Sequence, residues 1–186
     1  MPFPGWDGFT PPYDWERVLA MDVGGATNNA LEWGAICPDT QSVVIYHEIV
    51  KTTTDIRLLA SLAKPFLSDP AGQEYHFKFR VGDYENRIAL DDMGRHGVKF
   101  MNAVKHDKNL SIQRMSQYLH PNPLRPFPLW HPKAGQLGAP LLFITPDCPV
   151  LLREIPNQKW KTPEAGGIIK DEMDRSIRHD TVDCVL

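Results

Sequence analysis

The sequence predicts an α/β fold, a mixed central sheet with helices on its faces. Three observations lead there. Strand-length apolar runs dominate the first third of the chain, runs of helical spacing then alternate with further strands, and turn residues separate them. At 186 residues, with 42% hydrophobic and 23% charged, the chain is long enough to bury one sizeable core. Met1 to Trp15 are rich in Pro, Gly and aromatics without any period. We therefore expect an extended arm over residues 1–16 and a single domain over residues 17–186.

Val18-Leu19-Ala20-Met21 is an apolar run ending at Asp22, a strand that feeds the Val23-Gly24-Gly25 turn. Ala30 to Ile36 and Ser42 to Val50 read as two more strands, joined by a hairpin loop at Pro38-Asp39-Thr40-Gln41. Thr54-Asp55 caps a helix through Leu67, with Ile56, Leu59, Ala60 and Ala63 on one face. His76 to Val81 is a fourth strand and stops at Gly82-Asp83. A helix over Asn86 to His96 ends at Gly97, and Val98 to Val104 reads as a strand. Asn109 to Leu119 is helical. His120 to Pro140 has too much Pro and Gly for regular structure, Leu141 to Ile144 is a short strand, and Val150 to Ile155 a helical turn. Gly166-Gly167, between Trp160 and Ile168-Ile169, suggests a hairpin, and Ile177 to Leu186 a last helix.

Bulk properties exclude several classes. No run approaches the roughly 20 apolar residues of a membrane helix, and the start has no signal-peptide pattern, so we expect a cytoplasmic protein without membrane contact. Cys37, Cys148 and Cys184 are scattered and predict buried, reduced thiols rather than a zinc site. His76 and His106 lack metal-type partners at i+3 to i+5, and zinc is not expected at His179 either. A net charge of -3 argues against a simple DNA-coating module, but suits an enzyme whose carboxylates bind cations.

The candidate chemistry lies in four aspartates. Asp22 and Asp83 each come at the end of an apolar strand, where ligands of open α/β sheets collect. Asp180 and Asp183 stand three apart, on one face of the last helix. Taken singly, the first two are ordinary turn formers and the second two an ordinary solvated face. Convergence changes the reading, because carboxylates about 4 Å apart repel by several kcal/mol and need compensating cations. An all-oxygen donor set suits two Mg²⁺ or Mn²⁺ ions, the pair that serves phosphodiester cleavage.

Val18 to Gly25, then Asn29-Ala30-Leu31-Glu32-Trp33-Gly34-Ala35-Ile36, resembles the first hairpin of the nuclease domain of phage large terminase subunits. Val81-Gly82-Asp83 resembles that family's second acidic position. Gly97-Val98-Lys99-Phe100 is similar to the family's next Gly-Val strand segment, and Lys105 to Leu119 to its lysine-containing turn and helix. His179-Asp180-Thr181-Val182-Asp183-Cys184 looks like its terminal Asp-His-x-x-Asp-Ala signature. The resemblance spans Val18 to Leu186. It implies a ribonuclease H-like core, with Asp22, Asp83 and Asp180 as catalytic metal ligands, Asp183 as a fourth ligand ranked below Asp180, and Asp22 bridging the two ions. It also implies cutting of concatemeric double-stranded viral DNA during packaging in the host cytoplasm. The implied partners are a terminase ATPase domain, a small terminase subunit and a portal protein. No GxxxxGK[ST] occurs, so this stretch carries no ATPase of that type.

Lys105, Lys108 and Arg114 are candidate phosphate contacts, though ordinary solvated surface is the readier explanation of each; the Pro-rich stretch from Leu119 to Pro140, with Arg125, Trp130, His131 and Lys133, reads equally as a DNA-guiding loop or as a plain surface excursion. Glu48 reads as an exposed strand residue, a carboxylate supporting the metal ligands being the alternative; Glu85, Asp91 and Asp92, the rivals for Asp83's role, read as a solvated helix face. Three other functions compete. A Holliday-junction resolvase would share the chemistry. An actin-like sugar kinase would use Asp22-Val23-Gly24-Gly25-Ala26-Thr27 but needs about twice this length. A portal- or capsid-docking module would leave the acidic residues apart.

Overall fold

The computed structural model describes residues 8–24, 28–103, 108–157 and 180–185. Its centre is a six-stranded sheet of order β5-β4-β1-β2-β3-β6. β1 (Glu16–Val23) pairs antiparallel with β2 (Asn28–Ile36), which pairs antiparallel with β3 (Val43–Thr52). On its other side β1 runs parallel to β4 (Phe77–Gly82), beside the two-residue β5 (Met101–Asn102). β6 (Leu142–Ile144) closes the far edge parallel to β3. The sheet is mixed and helices cover both faces, as the sequence predicts.

Local chemistry accounts for the elements. The β2–β3 turn rests on Gln41 at φ 55 and on the Ser42 hydroxyl facing Thr40 Oγ1 at 3.0 Å. α1 (Ile56–Ala63) is capped by Asp55, whose Oδ1 accepts the Leu58 N–H at 3.1 Å. Pro65 then tightens the chain into a single 3₁₀ turn. α2 (Arg87–Arg95) stops where Gly97 takes φ 86. Beyond it the expected strand over Val98 to Val104 shrinks to Met101–Asn102, because fully buried Val98 turns into the core instead of running along the edge. The suggested hairpin at Gly166-Gly167 and residues 177–179 of the last helix lie outside the described residues.

Alternation along β1 sorts the two layers. Leu19 and Met21 join Leu31 and Trp33 of β2 on one face, under Leu59, Ala60 and Ala63 of α1 and Leu90 and Met93 of α2. Each large apolar side chain among them contributes about 1.5–3 kcal/mol on burial. Residues 8–15 also belong to this layer: Phe9 and Trp15 pack on Trp130, with ring centres 5.5 and 5.6 Å apart. Arg17 holds them down, its guanidinium donating to the Pro11 and Pro12 carbonyls and lying 3.8 Å from the Tyr75 ring centre.

The opposite face carries α3 (Lys108–Leu119), α4 (Pro149–Glu154) and α5 (Asp180–Val185), packed through Ile45, Leu142, Leu151 and Val182. No helix among the described residues is long and apolar enough to cross a membrane.

Gly34 keeps this second face close to flat. A Cβ there would meet Val18 Cγ2 at 2.7 Å, and a β-branched strand side chain has little room to yield. Gly34→Ala is expected to lower stability by about 1–3 kcal/mol, read as a shifted denaturant midpoint at unchanged slope.

Candidate functional site

β1 and β4 are parallel neighbours in the register Ala20↔Val81 and Met21↔Gly82. The next positions on the two strands are Asp22 and Asp83. Neighbouring strands lie about 4.8 Å apart, so the two aspartates start from adjacent backbone positions at the carboxyl ends of their strands. Val18 and Ala20 on β1, and Phe79 and Val81 on β4, all line one cleft of about 390 Å³ on the α3–α5 face. Alternation puts Asp22 and Asp83 on that same face. Both are half-buried.

The local turn orients Asp83. Its Oδ1 accepts the Glu85 N–H at 3.0 Å and its carbonyl accepts the Asn86 N–H at 3.0 Å, so the carboxylate is fixed by the turn it initiates. Gly82 before it is required by packing, since a Cβ there would sit 2.5 Å from Leu90 Cδ2.

α5 approaches the same corner from above. It packs on β2 and β1, and Cys184 Sγ lies 3.4 Å from the carbonyl of Ala30, the residue paired with Asp22. At its other end the Thr181 N–H and hydroxyl both donate to Glu154 Oε2, at 3.0 and 2.6 Å. Asp180 and Asp183 therefore belong to a helix whose backbone is held beside the end of β1.

Of the basic candidates, Arg114 is exposed and lines the mouth of the cleft beside Tyr118. Lys108 opens α3, and Lys105 lies outside the described residues. The stretch around Trp130 is not a free loop. His131 is buried, Trp130 packs on Phe143, and Lys133 lies over the Phe127 ring. Asp91 and Asp92 pair with Arg87 and Arg95 at 3.8 and 3.6 Å on an exposed helix, as expected of a solvated face.

Sequence reasoning took Glu48 for an exposed strand residue and passed over Glu32 as a candidate. Glu48 is half-buried rather than exposed: Val150 and Leu151 donate their N–H groups to its two oxygens, at 2.6 and 3.0 Å, so it caps α4 from the sheet. Opposite it on β2 stands Glu32, only 2% exposed. Neither Glu32 oxygen has a hydrogen-bond partner among the described residues. The signal was available: a lone carboxylate in the otherwise apolar Ala30 to Ile36 strand demands an explanation.

This mixed six-stranded sheet with helices on both faces has the fold of the nuclease domains of phage large terminases. The chain superposes on the large terminase nuclease domain of bacteriophage SPP1, a structure with bound Mn, at a TM-score of 0.61 and 13% identity, covering 99% of this chain and 88% of that one. The nuclease of thermophilic phage G20c, with bound cobalt, gives 0.51 at 12% identity over 94% and 80% of the two chains. The large terminase of another thermophilic bacteriophage gives 0.66 at 15% identity; 95% of this chain is covered but 39% of that one, so this chain spans well under half of it. No protein-family model and no curated protein matches the sequence.

Burial, then the charges of Glu48 and Glu154, push the Glu32 carboxyl up to about 10 from an ordinary 4.5. Because the folded state holds this proton more tightly than the unfolded chain does, its stabilisation is complete below about 4.5 and is lost as pH rises toward about 10. Metal-free protein is thus expected to lose up to about 1.4 kcal/mol per pH unit from this group over that window. Denaturant midpoints from pH 5 to 9 check it: Glu32→Gln should flatten the slope.

Proposed function

We propose that this chain is a divalent-metal-dependent endonuclease that cleaves double-stranded DNA, in the manner of a terminase nuclease domain during viral genome packaging. The observation that supports the reading is the parallel register of β1 and β4, whose last pair, Met21↔Gly82, is followed on the two strands by Asp22 and Asp83. Support comes from the fold shared with the SPP1 and G20c nuclease domains.

The donor chemistry fits the implied ions. Asp22, Asp83 and an α5 aspartate offer only carboxylate oxygens, the set preferred by Mg²⁺ and Mn²⁺. Two such ions, when bound, supply charge neutralisation for the attacking and leaving oxygens of a phosphodiester. The protein's own part is positional. β1 and β4 hold two carboxylates at fixed spacing, the Glu85 N–H aims one of them, and Arg114 beside the cleft is suited to a phosphate.

Of the α5 pair we place Asp183 ahead of Asp180, reversing the order the sequence suggested. Asp183 adjoins Cys184, which reaches the residue paired with Asp22, whereas Asp180 adjoins Thr181, which is tied to α4. Terminase ATPase, small subunit and portal partners belong to this reading too, with Lys105 and Lys108 as further phosphate contacts.

Supercoiled-plasmid cleavage tests it. Cutting is expected with Mn²⁺ or Mg²⁺, none with EDTA, and losses of about 100-fold or more in Asp22→Asn and Asp83→Asn. Asp183→Asn should cost more than Asp180→Asn. A folded chain that cuts equally well as Asp22→Asn would overturn the proposal.

A further inference from the structure

The nuclease reading gives Glu32, Glu48 and Cys148 no role, although Glu32 lines the same cleft as Val18, Ala20 and Arg114. Each of the three offers a ligand atom within 4.8 Å of the others. Glu32 is 2% exposed and Cys148 fully buried, while Glu48 is half-buried. Glu48 spends one lone pair of each oxygen on the α4 N–H groups and keeps the others.

The charges around them do not balance. Glu32 has two oxygens without a hydrogen bond among the described residues, and the groups acting on it are the carboxylates of Glu48 and Glu154. The basic residue that acts on Glu48, Arg153, is exposed. A buried carboxylate without donor or counter-ion costs several kcal/mol, and a second beside it compounds the cost. Two occupants relieve this: a proton shared between carboxylates, or a cation. A proton engages two oxygens and leaves the remaining Glu32 oxygen without a partner, while the thiol keeps only its contact with the Thr145 hydroxyl. A cation engages donors from all three segments.

We propose that Glu32, Glu48 and Cys148 form a second site for a divalent cation of borderline softness, Zn²⁺ or Co²⁺, between β2, β3 and the start of α4, with a fourth position left to water. Two carboxylates and a thiolate match such ions better than Mg²⁺, which takes oxygen donors. The thiol, which burial and the neighbouring glutamates hold in its protonated form, gives up its proton to solvent on binding. The site pins α4 to the sheet. Since Glu154 of α4 anchors Thr181, it also steadies α5 and the backbone that carries Asp180 and Asp183. Its role is structural and independent of the nuclease reading.

Titration of the metal-free chain with Co²⁺ tests it. A thiolate-to-cobalt charge-transfer band is expected in the near ultraviolet, which an all-oxygen centre cannot give. Equilibrium dialysis should find one fewer bound ion per chain in Glu32→Gln and in Cys148→Ser, both lacking the band. Asp22→Asn and Cys184→Ser should keep it, and Zn²⁺ should raise the unfolding midpoint of Asp22→Asn but not of Glu32→Gln. Absence of the band from the folded wild-type chain, its survival in Cys148→Ser, or its loss in Cys184→Ser would each overturn the site. A shared proton would give no band and no Zn²⁺ effect.

Discussion

The parallel pairing of β1 with β4 is the constraint on which the remaining architecture depends. β1 leaves the sheet centre at Val23, returns through β2 and β3, and crosses by α1 before β4 arrives on its other side. Only this crossover puts two strand ends from distant parts of the sequence at one edge of the sheet, separated by one strand spacing. A slip of one residue in that pairing would move one carboxylate to the α1–α2 face, since the side-chain period of a strand is two. The register is held by what lies beneath it: Leu19 and Met21 on β1 pack in the same fully formed core as Leu90 and Met93, and Gly82 admits Leu90 at contact distance.

The α3–α5 face is built on different physics from the α1–α2 face. The latter is apolar and aromatic, closed by the Phe9, Trp15 and Trp130 cluster. The former carries a row of acids from β2, β3 and α4, namely Glu32, Glu48 and Glu154, below the helix that bears Asp180 and Asp183. Two of these acids serve as anchors, Glu48 for the first turn of α4 and Glu154 for that of α5. Both helices are short, with little propensity to form alone. They depend on carboxylates supplied by the sheet and by each other, and Glu32 at the bottom of the row answers to neither helix.

Much of this was legible in the sequence, for identifiable reasons. Strands rich in β-branched and apolar residues, the Asp55 cap and the Gly97 stop are local signals, and they located most elements within a few residues. Asp22 and Asp83 stood out because an acid closing an apolar run is also a local pattern. What was not legible is what tertiary pairing decides. Glu48 looked exposed because alternation along β3 cannot reveal that α4 covers that face. The stretch around Trp130 read as either a DNA-guiding loop or a surface excursion because nothing local announces that Trp130 meets Phe9 and Trp15.

The central claim is that Asp22 and Asp83 share a cation. A crystal of this chain soaked in Mn²⁺, with anomalous diffraction at the manganese edge, tests that claim directly. A shared ion predicts a manganese peak between the two carboxylates, at about 2.0–2.2 Å from an oxygen of each. Carboxylates turned apart with no peak between them at saturating Mn²⁺ would contradict it.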